Sequence, residues 1–272
     1  MLVCAAATLF QFSARGANIA VSGFNDDVVT EASPTRFGRQ FDSTTFFPAD
    51  WVETFTRVGT VPGLPSSHVF TSATGSGVVY HLQSYTANNV LHMGGGDPTS
   101  EAMTVISGQY SALHILAASG TDGTTALDVL GHTSDITLNF TDGSVTLPGA
   151  LLAYDWNINN SKAPSNIVAI GPICINVLVD GASTPPAASS LLDTGTYGTG
   201  YGLYETTLNL SDLGLSARTL NSITFNDVNA THSTTGVFAV DGIAAPEPSA
   251  IALMMVAATG LLGRRRTSRL EQ

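Results

Sequence analysis

At 272 residues the chain can hold one large domain or two small ones, and a 43% hydrophobic content is ample for a core. Only 11% of residues are charged, against roughly 25% in an ordinary soluble domain, which disfavours helices with Lys-, Glu- and Arg-rich solvent faces. Residues 17–246 carry five basic and nineteen acidic groups, a net −14, and such a surface repels phosphate backbones, so nucleic acid is excluded as a partner.

In chain order, Leu2–Phe12 is apolar and rich in small residues, and it reads as the core of a signal peptide. Ala14-Arg15-Gly16 offers small residues at a cleavage site, which makes 1–16 the leader and starts the mature chain near Ala17. No basic residue precedes Arg15, so the leader is expected to be truncated at its start. Strand patterns then recur every 8–15 residues: Ile19–Val21, Gly23–Val29, Val78–Leu82 and Leu113–Ala117. A short helix is expected over Pro48–Phe55, where Pro48-Ala49-Asp50-Trp51 has the form of a helix start. Gly94-Gly95-Gly96-Asp97 reads as a hairpin loop.

The clearest hairpin is Ile136–Leu147. Ile136, Leu138 and Phe140 share one face, and Asp142-Gly143 matches a type I′ turn. Later strands are expected at Ile167–Ile170, Ile173–Val179, Tyr204–Leu210, Leu220–Phe225 and Val237–Val240, with a Pro- and Gly-rich surface loop over Gly181–Gly202 and one turn of helix at Leu210–Leu213. In Tyr204–Leu210 the residues Tyr204, Thr206 and Leu208 alternate with Glu205, Thr207 and Asn209, which places Glu205 on the solvent face. About ten short antiparallel strands over 17–245 predict an all-β fold, a single antiparallel β-sandwich or jelly roll. No internal repeat is evident, which argues against a propeller or solenoid.

The end of the chain is the most specific feature. Pro246-Glu247-Pro248 prevents helix and sheet and leaves an extended, protease-accessible hinge. An uncharged run over 249–263 follows, about 22 Å long as a helix and short of the ~20 residues that span a bilayer comfortably. Arg264, Arg265 and Arg266 then act as a stop-transfer cluster by the positive-inside rule, with 267–272 as a cytoplasmic end. The order of tripeptide, hydrophobic run and basic cluster over 246–266 resembles the PEP-CTERM sorting domain. The resemblance implies recognition of Pro246, Glu247 and Pro248 by an exosortase, a membrane cysteine protease-transpeptidase, in an exopolysaccharide-producing bacterium. It further implies transient anchoring in the inner membrane through 249–263, then the cell surface or extracellular matrix. The body resembles other proteins of this kind more loosely, through Val21–Asn25 near the start and Val237–Gly242 before the tripeptide.

Chemistry is sparse. Of two cysteines, Cys4 lies in the leader and Cys174 stands in the apolar pattern Ile173–Val177, so no disulfide and no metal-binding pair is expected. His68, His81, His92, His114, His132 and His232 show no metal-ligand spacing, and no metal site is predicted. Calcium is the one cofactor the composition admits, through Asp122, Asp128, Asp135 and Asp142, although their spacing fits no known loop motif. Trp156, Tyr197 and Tyr201, with Trp51 and Tyr204, are candidate glycan contacts. A glycosidase needs two facing carboxylates roughly 5–10 Å apart, and Asp155 and Glu205 are the only nominees. The expectation is a non-enzymatic surface or matrix protein associated with extracellular polysaccharide. The alternatives are a carbohydrate-active hydrolase, which requires Asp155 and Glu205 in one cleft, and a calcium-dependent carbohydrate-binding module.

Overall fold

The computed structural model of the chain describes residues 17–30, 41, 47–48, 63–95, 97–121, 132–156, 165–173, 201–227 and 233–246. Among these the strands in chain order begin with β1 (Ala17–Asn18), β2 (Val21–Ser22), β3 (Val29–Thr30), β4 (Phe47–Pro48), β5 (Val69–Thr71), β6 (Val79–His81) and β7 (Leu91–Gly94). They continue with β8 (Ser100–Thr121), β9 (His132–Phe140), β10 (Gly143–Ala153), β11 (Val168–Ile173), β12 (Tyr201–Asn209), β13 (Thr219–Asn226) and β14 (Ser233–Ala244). The only helical element described is a 3-10 turn at Ser165–Ile167. The fold is all-β, sandwich-like and almost wholly antiparallel.

Strand β8 organises it. Twenty-two residues at about 3.3 Å each are far longer than one sheet needs, and β8 divides its length between two sets of partners. Ser100–Gln109 pairs with β13, which continues through β9 to β10, and β2 lies against Thr104 and Val105. Tyr110–Thr121 pairs with β14 on one side, and Ala112–Ala117 with β12 and then β11 on the other. Strands β1 and β7 share the far edge of β14. The handover falls at Gly108–Tyr110, where registers slip between Leu220 and Ser222 on β13 and between Ile243 and Ala244 on β14. Such slips let a strand bend from one sheet into the next. The Tyr110 hydroxyl closes the bend by donating to the Ile106 carbonyl at 2.7 Å, its ring packed over Gly108.

Alternation along β8 separates two cores. Leu113, Ile115 and Ala117 face a core with Leu208, Val237 and Val240 from their own sheet and Ile136, Leu138, Phe140, Ile223 and Phe225 from the other. Leu116 and Ala118 face the opposite way, into a second cluster with Val28, Phe41, Leu64, Val78, Tyr80, Tyr85, Val90, Trp156 and Phe238. A layer made of the hairpin β5–β6 and neighbouring segments therefore covers the outer face of the β8–β12–β14 sheet.

Three expectations change. Glu205 is buried, not solvent-facing, because this layer lies over its end of β12, whereas Thr207 and Asn209 beyond it are exposed. The β9–β10 turn is not type I′: Phe140 pairs with Gly143, and only Gly143 has a positive φ, +128°. Arg218 holds this turn instead, with two bonds to Asp142 Oδ1 at 2.7 and 2.9 Å, one to the Gly143 carbonyl, and its guanidinium 4.2 Å from the Phe140 ring centre. Pro48 starts no helix; it closes the parallel pair β3–β4, and 49–55 lie outside the described residues.

Gly236 on β14 faces the second core, and a Cβ there would sit 2.5 Å from Phe41 Cε2 and 2.9 Å from Val90 Cγ2, both in fully packed surroundings. Gly236→Ala is expected to destabilise the fold by about 1–3 kcal/mol through overpacking, read as a lowered urea midpoint at unchanged slope.

Candidate functional site

The covered face of the β8–β12–β14 sheet carries a row of polar side chains. Register sets His114 opposite both Thr207 and Asp241, and Glu205 lies two residues along the same face as Thr207. His114 Nδ1 lies 3.2 Å from Glu205 Oε1 and 3.1 Å from Thr207 Oγ1. Above them the β5–β6 turn is built from alternate hydroxyls and glycines, Ser72-Ala73-Thr74-Gly75-Ser76-Gly77. Each hydroxyl oxygen accepts the amide two residues on: Thr74 to Ser72, Ser76 to Thr74, Val78 to Ser76. Gly75 and Gly77, at φ +85° and +74°, permit this winding. The hydroxyl protons then turn downward, and Ser76 and Thr74 donate to Glu205 Oε2 at 3.1 and 3.3 Å.

These contacts divide the two carboxylates. Burial pushes Glu205 upward, but hydrogen bonds with His114, Ser72 and Ser76 outweigh it and hold the group at about 2. Asp241 is raised above the usual carboxylate range by burial, which the Gly242 amide and the charges of His114 and His81 only partly offset. Neither Asp241 oxygen, nor His114 Nε2, nor the Tyr80 hydroxyl has a hydrogen-bond partner of ordinary geometry. Burial and the nearby charges of Glu205 and Asp241 push the Tyr80 hydroxyl far above its ordinary range. All four side chains belong to residues no more than 5% exposed. An ionised carboxylate in a hydroxyl cradle fastens the hairpin to the sheet; it is not presented to a solute.

A second cluster lies at the β7 edge. Asp26, His92 and Asp97 bring three ligand-type atoms within 4.8 Å of one another. His92 Nδ1 is 2.7 Å from Asp97 Oδ2 and 3.6 Å from Asp26 Oδ2. The Gly94-Gly95 turn, φ +75° and +60°, swings Asp97 back over His92. Asn25 secures the other side, its amide group exchanging bonds with the His92 backbone at 2.7 and 3.0 Å.

Of the residues singled out by sequence, Trp156 is 3% exposed with its ring centre 5.2 Å from that of Phe41, so it belongs to the core and offers no face to a glycan. Asp155 is buried too, and its backbone carbonyl accepts from the Tyr204 hydroxyl at 2.7 Å. With both carboxylates buried, neither lines an open cleft. Asp135 Oδ1 accepts from the Gly149 amide at 2.8 Å, and Asp142 is paired with Arg218 in the β9–β10 turn. Asp122, Asp128, Trp51, Tyr197, Cys4, Cys174, Glu247, Pro248, Arg264, Arg265 and Arg266 lie outside the described residues, as does the side chain of Tyr201. Pro246 is described and exposed. Among the described residues no helix is long and apolar enough to cross a membrane. Sequence reasoning missed His114, Asp241, Asp26, His92 and Asp97; the one local signal was a polar residue interrupting an apolar strand at His114, Asp241 and His92.

No family model, curated protein or solved structure matches this chain.

Glu205 is depressed in the fold, so it stabilises above the ordinary carboxylate range, and that contribution disappears as pH falls from there through about 2. Asp241 is raised, so its contribution is present below the usual range and lost as pH rises. At pH 7 Glu205→Gln is therefore expected to cost about 1–3 kcal/mol by leaving buried partners unmatched, and Asp241→Asn to stabilise. Urea midpoints at pH 7 and pH 4 check both signs; two changes of the same sign at pH 7 would contradict the division of charge.

Proposed function

We propose that the chain is a non-enzymatic exported protein of the cell surface or extracellular matrix. It is delivered as a β-sandwich, held briefly in the inner membrane by 249–263, and processed by an exosortase at Pro246-Glu247-Pro248. One observation carries the reading. Among the described residues the backbone hydrogen bond nearest the tripeptide runs from the Ala245 amide to the Gln109 carbonyl at 2.9 Å, and the next residue, Pro246, is exposed. The paired strand thus reaches to the first residue of the tripeptide, as suits a cut that leaves β14 whole. Behind it come the uncharged run and the three arginines.

A hydrolytic role draws no support from exposure, because Asp155 and Glu205 are both buried. With Trp156 in the core, a polysaccharide-binding surface rests on Tyr197 and on Tyr201, the first residue of β12.

Mass spectrometry of the protein released from the surface tests the sorting step. In the producing strain the released chain is expected to lack Arg264, Arg265 and Arg266, and in a strain without its exosortase to keep them. Arginines retained in both strains would sink the proposal.

A further inference from the structure

We propose that Asp26, His92 and Asp97 form a site for a divalent transition metal of the zinc or manganese class, bound by one imidazole nitrogen and two carboxylate oxygens.

His92 Nε2 lies 3.2 Å from the Phe41 carbonyl, which can only accept. Its other neighbour there is Thr234 Oγ1, whose own hydrogen is directed to the Met93 carbonyl at 3.2 Å. Both partners require Nε2 to carry a proton and donate it. A metal-binding histidine shows this arrangement, with its second nitrogen donating to a backbone carbonyl that fixes tautomer and ring direction. Nδ1 is left as the coordinating atom, on a residue only 3% exposed.

On that side Nδ1 faces one oxygen of each carboxylate, and the three ligand-type atoms lie within 4.8 Å of one another. A proton on Nδ1 would lie along the 2.7 Å line to Asp97 Oδ2, and Asp26 Oδ2 at 3.6 Å is beyond hydrogen-bond reach. A metal ion among the three serves all of them at once. Two carboxylates and a neutral imidazole carry a charge of −2, matched to a divalent ion. Ligands at about 2.0–2.2 Å from zinc stand roughly 3.4 Å apart in a tetrahedron, so the 3.6 Å pair is already set and the 2.7 Å pair needs to open only slightly.

The supports on the carboxylates are equally specific. Asp26 Oδ1 accepts from the Asp27 amide at 3.0 Å, which orients Oδ2 toward His92. Asp26 is further fixed by its bridge to Val90, and the Asp97 amide donates to the Gly94 carbonyl at 2.9 Å, closing the turn that carries its side chain. Asp26 and Asp97 are 14% and 17% exposed at their side chains, so the cluster is reached by solvent. One imidazole among oxygens favours zinc or manganese over calcium, which prefers six to eight oxygens. Such an ion would staple the segment before β3 to β7 and, through Nε2, to Phe41 and β14.

The test uses the full-length chain in detergent, stripped with chelator and titrated with Zn²⁺ by calorimetry, with Ca²⁺ as the comparison. One Zn²⁺ per chain is expected, with a raised melting temperature. Asp26→Asn and Asp97→Asn should each weaken binding by more than the ~10–100-fold that follows loss of an outer-sphere partner, while circular dichroism shows both folded. Absent Zn²⁺ binding in the folded chain, binding unchanged in Asp97→Asn, or Ca²⁺ taken up in preference each overturn the proposal. Should the variants not fold, X-ray absorption on the Zn²⁺-loaded chain decides. One imidazole in an otherwise oxygen shell is the expected result, and two or more imidazoles overturn it.

Discussion

Strand β8 belongs to both sheets and its second half, from Leu113 to Gly120, is buried on both faces, and the elements around it are placed by that constraint. A strand covered on one side must alternate; one covered on both must be apolar at nearly every position. Leu113, Ile115, Leu116, Ala117 and Ala118 meet that demand, and all are inaccessible to solvent. Because odd and even residues feed separate cores, the sheet needs a second layer on its outer face, and the segments around Val28, Phe41, Leu64 and β5–β6 supply it. The bend at Gly108 lets a single strand serve both sheets; a straight β8 would run about 70 Å and leave half its length unpartnered.

That second layer explains where the few charges went. A carboxylate under an apolar layer is costly unless hydrogen bonds replace water. Glu205 receives them from a turn whose sequence alternates hydroxyl residues with glycine. The cradle is specific to one carboxylate: Asp241, across β8 from Thr207, gets no comparable set of donors and responds oppositely to burial. Two buried acids on the strands either side of β8 thus end with opposite tendencies, because one faces a loop of donors and the other does not. Separated values of this kind are the pattern of an acid–base pair, but here both groups are sealed beneath the hairpin.

The all-β class was legible from short alternating runs: Ile136–Phe140, Leu220–Phe225 and Val237–Val240 fall within β9, β13 and β14, and Tyr204–Leu210 overruns β12 by one residue. What sequence hid was length and cover. Ser107-Gly108 reads as a turn, so the half of β8 before it, with only Met103 and Val105 fully inward, carries too little pattern to be joined to Leu113–Ala117. Glu205 reads as solvent-facing because strand alternation reports which side a residue is on, not whether that side is covered. The polar clusters were illegible for a related reason: His114 and Glu205 are 91 residues apart, and Asp26 and His92 meet only because Asn25 and Asp26 pair with the strand edge at Val90–His92.

Strand β14 links the body to whatever follows it. It is paired with β8 along its length, with β7 over Thr234–Val237 and with β1 at Asp241 and Gly242, so it is an interior strand at both ends. A terminal strand held only at an edge would fray when its continuation is cut, because end residues lose the covalent restraint on one side. In this chain the hydrogen bonding extends through Ala245, and Ile19 and Tyr110 pack over Gly242 three residues before that end. Scission at Pro246-Glu247-Pro248 would therefore leave in place the pairing of β14 with β8, β7 and β1, which lies wholly before Pro246.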